Sequence, residues 1–508
     1  MSAIVETRDG RIEGEAADGI FAFRGVPYAA PPVGPLRWRA PAPPKPWAGV
    51  RDARRFGPAA PQPPSLAARL FGSGAPTESE DCLTLNLFTP GLAGRRPVLV
   101  WIHGGAFVTG SGSLPVYDGA GLARQAEAVV VTLNYRLGAL GFVYLPEQAA
   151  EGEATGNFGL LDQLAALAWV REHAARFGGD ASRITLFGQS AGAMCIGTLL
   201  GAPRARGQFA RAILQSGAAR NVHPPETAER VTHAFLRAAG LARDELARLR
   251  ALPVEALAAA QAAAREAVVR EIADPPFEPV VEGDLLPAPP LAAIAAGAAR
   301  DVPLLIGTNR DEWNFYGLTD PGAARLDHDK LLRRFRRGLP GRDRAGRELA
   351  ERVVELYRAV RDGSSARDLW FAIQTDRWFR HPAAQLAELQ ARHRRDVHAY
   401  LFTWASPAFG GGLGSCHALD LPFVWGTHSH PPMRPIVGDA EGAAALSRRV
   451  QGAWIAFAHG GAPAHPELPD WPAYEAARRA TLELGETCRL LHAPGEAERA
   501  FWDEIAAR

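Results

Sequence analysis

Residues 183–194 read RITLFGQSAGAM, and this stretch decides the fold. Its first half is a short apolar run, the pattern of a strand buried on both faces. The second half continues as AGAMCIGTLLG, with the small residues of a closely packed helix and Gly201 at its end. Between the two lies G-x-S-x-G, made by Gly188, Gln189, Ser190, Ala191 and Gly192. A tight strand-to-helix turn needs glycine on either side, because a Cβ there would hold strand and helix apart. The turn projects the Ser190 hydroxyl at the strand end. It also puts the Ala191 N–H at a helix N-terminus, where donors are unpaired and the dipole favours an anion. This is the setting of a nucleophile elbow.

Outward from the elbow, other segments repeat the pattern. RPVLVWIHGG from residue 96, AVVVTL (128–133), AILQSG (212–217) and PLLIGTN (303–309) are further apolar strands. Residues 160–177 have helical spacing, with Leu161, Leu164, Ala168 and Trp169 available to one face. Short apolar strands alternating with helices predict an α/β fold with a mostly parallel sheet. Long Ala, Leu, Arg and Glu stretches at about 224–300 and 340–398 predict helical insertions around that sheet. RRFRR (333–337) reads as a solvated helix face. The first 64 residues are rich in Pro, Gly and Arg, so long helices are excluded there. Phe21, Phe23, Tyr28, Trp38 and Trp47 predict an extended segment wrapped on the core, since they are costly to leave in water.

Composition narrows the function classes. The chain has 508 residues, 47% hydrophobic and 22% charged, which excludes a disordered or collagen-like chain. Lys plus Arg number 56 and Asp plus Glu 55, so the net charge is +1. That gives no overall basic field for a nucleic-acid partner. Cys82, Cys195, Cys416 and Cys488 match no metal-ligand spacing and make no disulfide scaffold. The N-terminus has no basic segment followed by an apolar one, and no run of about 18 apolar residues predicts a membrane span. The expectation is a cytoplasmic protein with reduced cysteines and no membrane or metal partner.

A serine hydroxyl is a poor nucleophile until a base takes its proton, and that base needs an orienting acid. In this architecture the chain order is Ser, acid, His. LLIGTNRDEWNFY (304–316) offers Asp311 and Glu312 in a loop after a strand. Ten histidines follow Glu312, so position alone leaves the base open. WIHGGAF (101–107) leaves a strand through small residues that let backbone N–H groups approach a substrate. Losing one such donor to a developing oxyanion typically costs about 3 kcal/mol. His103 precedes the serine and reads as a packing or loop-ordering residue.

These residues resemble the type B carboxylesterase family, closest in pattern to its bacterial para-nitrobenzyl esterases. The resemblance rests on FRGVPYAAPPVGPLRWRAP (23–41), SEDCLTLNLFTP (79–90), PVLVWIHGGAF, NYRLGALGF (134–142), GNFGLLDQLAALAWV (156–170), FGQSAGA (187–193), AILQSG, GTNRDEWNF and CHALDLPFVWG (416–426), all in family order. It implies an α/β-hydrolase fold in which residues 1–508 form a single catalytic domain. It also implies a Ser190, Glu312 and His417 triad and oxyanion donors from the backbone of Gly105, Ala106 and Ala191. Ser216 resembles a supporting serine near the acid. Arg37 with Glu80, and Arg136 with Asp162, resemble structural ion pairs.

The implied reaction is hydrolysis of a small-molecule carboxylic ester through an acyl-enzyme, with no cofactor or metal. A lipase, a carbamate or amide hydrolase, and a non-catalytic binding protein are the competing readings. The oligomeric state stays open between monomer and homodimer. Several positions depart from the family. Gln189 stands where most relatives have Glu, Trp313 where Gly follows the acid, and Ala106 where many have Gly. Cys82 is the first cysteine, so the bridge of secreted relatives cannot form within the chain. Gly72, beside Phe71, takes the place of the cholinesterases' choline-binding Trp, so choline binding by cation–π contact has little support.

Overall fold

The structure is a computed structural model that describes residues 2–71, 76–269, 271–272, 274–337, 344–438 and 440–506. Gly72 therefore lies outside the described residues, while Phe71 is buried. Among the described residues, thirteen strands form one sheet. β1 (Ser2–Thr7), β2 (Gly10–Ala17), β3 (Ile20–Pro27), β4 (Val50–Asp52) and β5 (Thr84–Thr89) come first. β6 (Arg96–Ile102), β7 (Val129–Leu133), β8 (Gly179–Gln189), β9 (Arg211–Gln215) and β10 (Leu304–Asn309) build the middle. β11 (Val397–Phe402), β12 (Ala480–Leu484) and β13 (Arg489–His492) complete it. The order across the sheet is β1-β2-β3-β5-β7-β6-β8-β9-β10-β11-β12-β13, with β4 beside β2. From β7 to β12 every neighbouring pair is parallel. The pairs at either end are antiparallel, except that β4 runs parallel to β2. This is the α/β-hydrolase architecture.

The parallel strands are apolar on both faces because helices cover both. Val98, Val100 and Ile102 of β6 join one buried cluster, and Leu99 and Trp101 join the other. The same alternation holds along β10, with Leu304 and Ile306 on one side and Leu305 on the other. The five strand expectations fall on β6 to β10. The helix expected over 160–177 spans Phe158–His173 and continues as a 3-10 turn, Ala174–Phe177. One detail differs. Ala168 faces solvent and Leu164 is half-buried, whereas Leu160, Leu167 and Val170 are buried. The helix lies under neighbouring elements on most of its surface, so a single apolar stripe read from spacing misplaces its core face.

The start of the chain is extended and packed on the core, and residues before its Pro-rich stretches pair into the sheet. Its first three strands add an antiparallel edge to the sheet, with Phe23, Tyr28 and Trp38 buried. Tyr28 donates to the Asn134 carbonyl at 2.7 Å and Trp38 to that of Ala139 at 2.9 Å. The insertions are helical as expected, with helices Pro225–Ala238 and Val254–Val268 in the first. The second holds Arg344–Val360, Ala366–Thr375, a π-helical turn Asp376–Arg380 and His381–Ala391. Its expected end at 398 runs two residues into β11. RRFRR lies on helix His328–Arg337, where Phe335 is buried in a small separate core while Arg333 is exposed.

Both expected ion pairs form. The Arg37 guanidinium holds both Glu80 oxygens, at 2.7 and 2.5 Å, and also donates to the carbonyls of Arg250 and Leu252. Arg136 grips the fully buried Asp162 at 2.8 and 2.7 Å. No helix among the described residues is long and apolar enough to cross a membrane. Nor does any group of three or more His, Cys, Asp or Glu among them suit a metal ion.

Candidate active site

Four loops meet at the C-terminal edge of the parallel strands. They follow β6, β8, β10 and β11, so residues far apart in sequence arrive at one place. This is where open α/β sheets hold their ligands.

The elbow after β8 comes first. Ser190 adopts φ 57° and ψ −130° and caps helix Ala191–Gly201. Such backbone costs about 1–3 kcal/mol and persists only where the surroundings enforce it. They do so here: the Ser190 N–H donates to the Gln215 carbonyl at 2.9 Å, and the Ser190 carbonyl accepts from Met194 at 2.9 Å. A Cβ on Gly192 would sit 1.9 Å from the Ile102 carbonyl oxygen. Glycine is therefore required where helix and strand β6 approach.

The loop after β6 turns back on itself. Gly105, Ala106 and Phe107 all have positive φ. The Gly105 carbonyl accepts from the N–H groups of Val108 and Thr109 at 3.1 and 2.9 Å, which pins the turn. Among the described residues, the N–H groups of Gly105 and Ala106 donate to no backbone carbonyl. A Cβ on Gly104 would approach the Ser190 Cβ to 2.9 Å, so this loop lies directly against the elbow. The Ala191 N–H opens the neighbouring helix, where no partner exists within the helix itself. His103 is buried and stacked on Tyr135, with ring centroids 4.5 Å apart. Burial pushes its imidazole down to about 4, so it stays neutral and packs.

Of the two acid candidates, the structure separates Asp311 from Glu312. Asp311 accepts from the Ser415 N–H at 2.8 Å and so ties two loops together. Glu312 is fully buried; one carboxylate oxygen accepts from the Asn309 N–H at 2.7 Å and the other meets His417 Nδ1 at 2.6 Å. Among ten possible histidines, His417 is the one that faces this carboxylate. Its own N–H reaches the Glu312 carbonyl at 3.3 Å. Behind it, Asp420 accepts from Gln215 at 2.6 Å and from Asn309 at 3.4 Å, so the His loop is anchored to β9 and β10. Burial pushes the Asp420 carboxyl up to about 6.

With Nδ1 donating to Glu312, His417 Nε2 is an acceptor. It receives a hydrogen bond from the Gln189 side-chain amide at 3.2 Å. Ser216, placed near the acid by resemblance, has a buried hydroxyl with no partner among the described residues; the Asn309 N–H takes that place beside Glu312. Sequence reading missed Asn309 and Gln215. Asp420 stood in the quoted HALDL segment, but nothing marked it as an anchor.

Aromatic rings surround the histidine. Phe379, Tyr316 and Phe315 lie 4.8, 5.5 and 6.1 Å from the His417 ring, centroid to centroid. Trp313, the departure after the acid, packs on Tyr316 at 4.7 Å and on Trp378 at 6.0 Å. It joins the acid loop to the π-helical turn that carries Phe379.

Comparison with known proteins agrees with this geometry. The profile described as Carboxylesterase family matches residues 1–502. The para-nitrobenzyl esterase of Bacillus subtilis (strain 168) is 39% identical over 98% of this chain and 97% of its own length. The phenmedipham hydrolase of Pseudarthrobacter oxydans is 38% identical over 95% of each. Among solved structures, the Geobacillus stearothermophilus carboxylesterase EST55 superposes with a TM-score of 0.87 at 39% identity, covering 98% of this chain and 99% of that one. A match on this scale, over nearly the full length of each protein, is one of family as well as of fold. The chain belongs to the carboxylesterase family and is a carboxylic ester hydrolase.

Proposed function

We propose that Ser190, His417 and Glu312 are the catalytic triad and that Gly105, Ala106 and Ala191 supply the oxyanion donors. The observation that carries this reading is the 2.6 Å contact between buried Glu312 and His417 Nδ1, beside a serine at a strained elbow. Glu312 fixes the Nδ1–H tautomer, which leaves Nε2 unprotonated and able to take a proton. Ser190 Oγ attacks the ester carbonyl as His417 accepts its proton. The carbonyl oxygen becomes an oxyanion and meets the three backbone N–H groups. His417 then protonates the leaving alkoxide, and water repeats the sequence on the acyl-enzyme.

The substrates are small to medium uncharged esters with apolar or aromatic groups, which suit the rings around His417. Carbamate and amide carbonyls fit the same machinery. An interfacial lipase has less support, because the large exposed apolar side chains, such as Val269, Val360 and Phe409, are dispersed along the chain. The four free cysteines, three of them buried, suit a reducing cytoplasmic setting. We read residues 1–508 as one catalytic unit, since loops along most of its length supply the site.

An organophosphate serine probe tests the assignment. The expected result is one covalent adduct on Ser190, found by peptide mass spectrometry, with loss of activity in proportion to labelling. Labelling elsewhere, or activity that survives full labelling, would overturn it.

Gln189 gives a second expectation, one of pH. In the Gln189→Glu variant a carboxylate would stand beside Nε2. A nearby opposite charge favours the imidazolium, the form that cannot act as base. The half-activity point on the acid side of the kcat/KM profile is expected to rise by about 1 pH unit. Activity at pH 6 then falls while activity at pH 9 changes little. An acid limb that stays in place or moves down would mean that residue 189 does not bear on the base.

A further inference from the structure

A cavity opens away from the triad. β10, β11 and β12 supply Ile306, Ala399 and Thr481 to its wall. Helix His381–Ala391 supplies Ala383 and Ala387, and the C-terminal helix Glu496–Ala506 supplies Trp502. None of Ser190, Glu312 and His417 borders it. Exposed Gly495 does, so the cavity reaches solvent there. It holds about 70 Å³ of space open to the centre of a water-sized sphere. One water needs roughly 10–15 Å³ on that measure. The room suits about five waters, or one molecule of about five to seven non-hydrogen atoms.

The polar groups on the wall fall into two sets. The charged ones are already matched. Arg380 holds Asp376 at 2.7 Å, Arg479 holds Glu388 at 2.8 Å, and Arg499 holds Glu496 at 2.7 Å as well as Asp503. Glu498 accepts from Arg361 at 3.4 Å, and His381 meets Asp503 at 2.9 Å. Two buried donors are not matched. The Tyr474 hydroxyl and the Arg380 Nε–H have no hydrogen-bond partner among the described residues, and both residues border the cavity. Tyr474 is 4% exposed, and burial pushes its phenol up, so it stays a neutral donor. Buried donors are costly to leave unmet. Water meets them poorly, because it needs about two to four polar partners and the alanine and isoleucine side chains offer none.

We propose that this cavity is a second binding site, for a small neutral molecule that is apolar except for one hydrogen-bond-accepting oxygen. The apolar wall favours carbon, and the unmatched donors favour an acceptor. A carboxylate is disfavoured. Each wall arginine already has its acid, so a further buried anion would lack a counter-charge. Short-chain alcohols, which ester hydrolysis releases, belong to the accepted class. Because the site stands apart from the triad, it binds whether or not Ser190 is modified.

The test uses tetrahydrofuran, a small cyclic ether with one acceptor oxygen and no carbonyl for a serine to attack. Binding is titrated by saturation-transfer NMR, and the molecule is located in a soaked crystal. Wild-type enzyme should bind it saturably, in the cavity and with its oxygen towards Tyr474. Enzyme with Ser190 blocked by an organophosphate should bind it with the same affinity. On that blocked enzyme propionate, similar in size but charged, should bind at least about tenfold more weakly. Tyr474→Phe keeps the shape and removes the donor, and should weaken tetrahydrofuran binding about three- to tenfold. Ala387→Leu fills the space and should abolish it. The proposal falls if wild-type enzyme shows no saturable binding, which would make this a cavity for water only. It also falls if binding is lost when Ser190 is blocked, or is unchanged in both variants, because the ligand then sits elsewhere. Propionate that binds as tightly as the ether would overturn the neutral class.

Discussion

Ser190→Ala should lower kcat/KM for a para-nitrophenyl ester by about 10⁴- to 10⁶-fold, the range seen when a serine nucleophile is removed from a triad. Alanine has the same backbone preferences as serine at φ 57°, so the elbow bears the same strain before and after. Gly188, Gly192 and the Gln215 carbonyl still enforce the turn. The fold and the oxyanion N–H groups should survive, and the melting temperature should change little. What disappears is the Oγ that the proposed mechanism assigns to bond the acyl carbon. A residual rate above water is expected, because oriented backbone donors act on any attacking species. The check is steady-state kinetics on a preparation whose circular dichroism matches wild type. A folded variant that keeps a tenth of wild-type activity would remove Ser190 from the nucleophile's role.

The part of the site that was legible in sequence was the part written in local pattern. β6, β8 and β10 are apolar runs that end in glycine or in a polar loop, and each ends where a functional loop begins. The elbow combines such a strand with glycines and a small-residue helix, so Ser190 could be placed from a dozen residues. The acid could be narrowed to Asp311 or Glu312 but no further. Which carboxylate turns inward depends on the Asn309 N–H and on the Ser415 loop, and that loop arrives from over a hundred residues away. The base left no local signal. His417 follows β11 after a long irregular loop, and its neighbours Cys416 and Ala418 would suit any buried turn. Only the family resemblance singled it out, and the contact with Glu312 supplies the physical reason.

Tyr316 shows the same limit more sharply. NFY reads as part of an aromatic helix, and nothing in it says that its ring packs beside a histidine 101 residues later. The start of the chain is extended and packed on the core, as its Pro content and aromatics imply. Its pairing into the sheet adds detail, since Ala3, Val5 and Thr7 alternate with exposed Ile4 and Glu6 in the two-residue period of a strand.

Glu312→Gln should cost about 10⁴-fold in kcat, the effect of giving a triad histidine the wrong tautomer. The geometry shows why an amide cannot substitute. Both carboxylate oxygens accept, one from the Asn309 N–H and the other from His417 Nδ1–H. A glutamine side chain has one acceptor and one donor. If its oxygen serves Asn309, its NH₂ group faces Nδ1 and drives the imidazole proton to Nε2. There the proton blocks transfer from Ser190. The Gln189 amide can rotate to offer its oxygen to Nε2–H, which would hold the wrong tautomer in place. If instead the glutamine oxygen serves His417, its NH₂ group meets the Asn309 N–H, and a buried donor is set against a donor. Such a clash costs about 1–3 kcal/mol in stability. Either arrangement loses, the first in rate and the second in both rate and stability. Kinetics and thermal denaturation on one preparation distinguish the two, because only the second lowers the melting temperature. A loss in kcat of less than tenfold, with stability unchanged, would show that Glu312 does not orient the base.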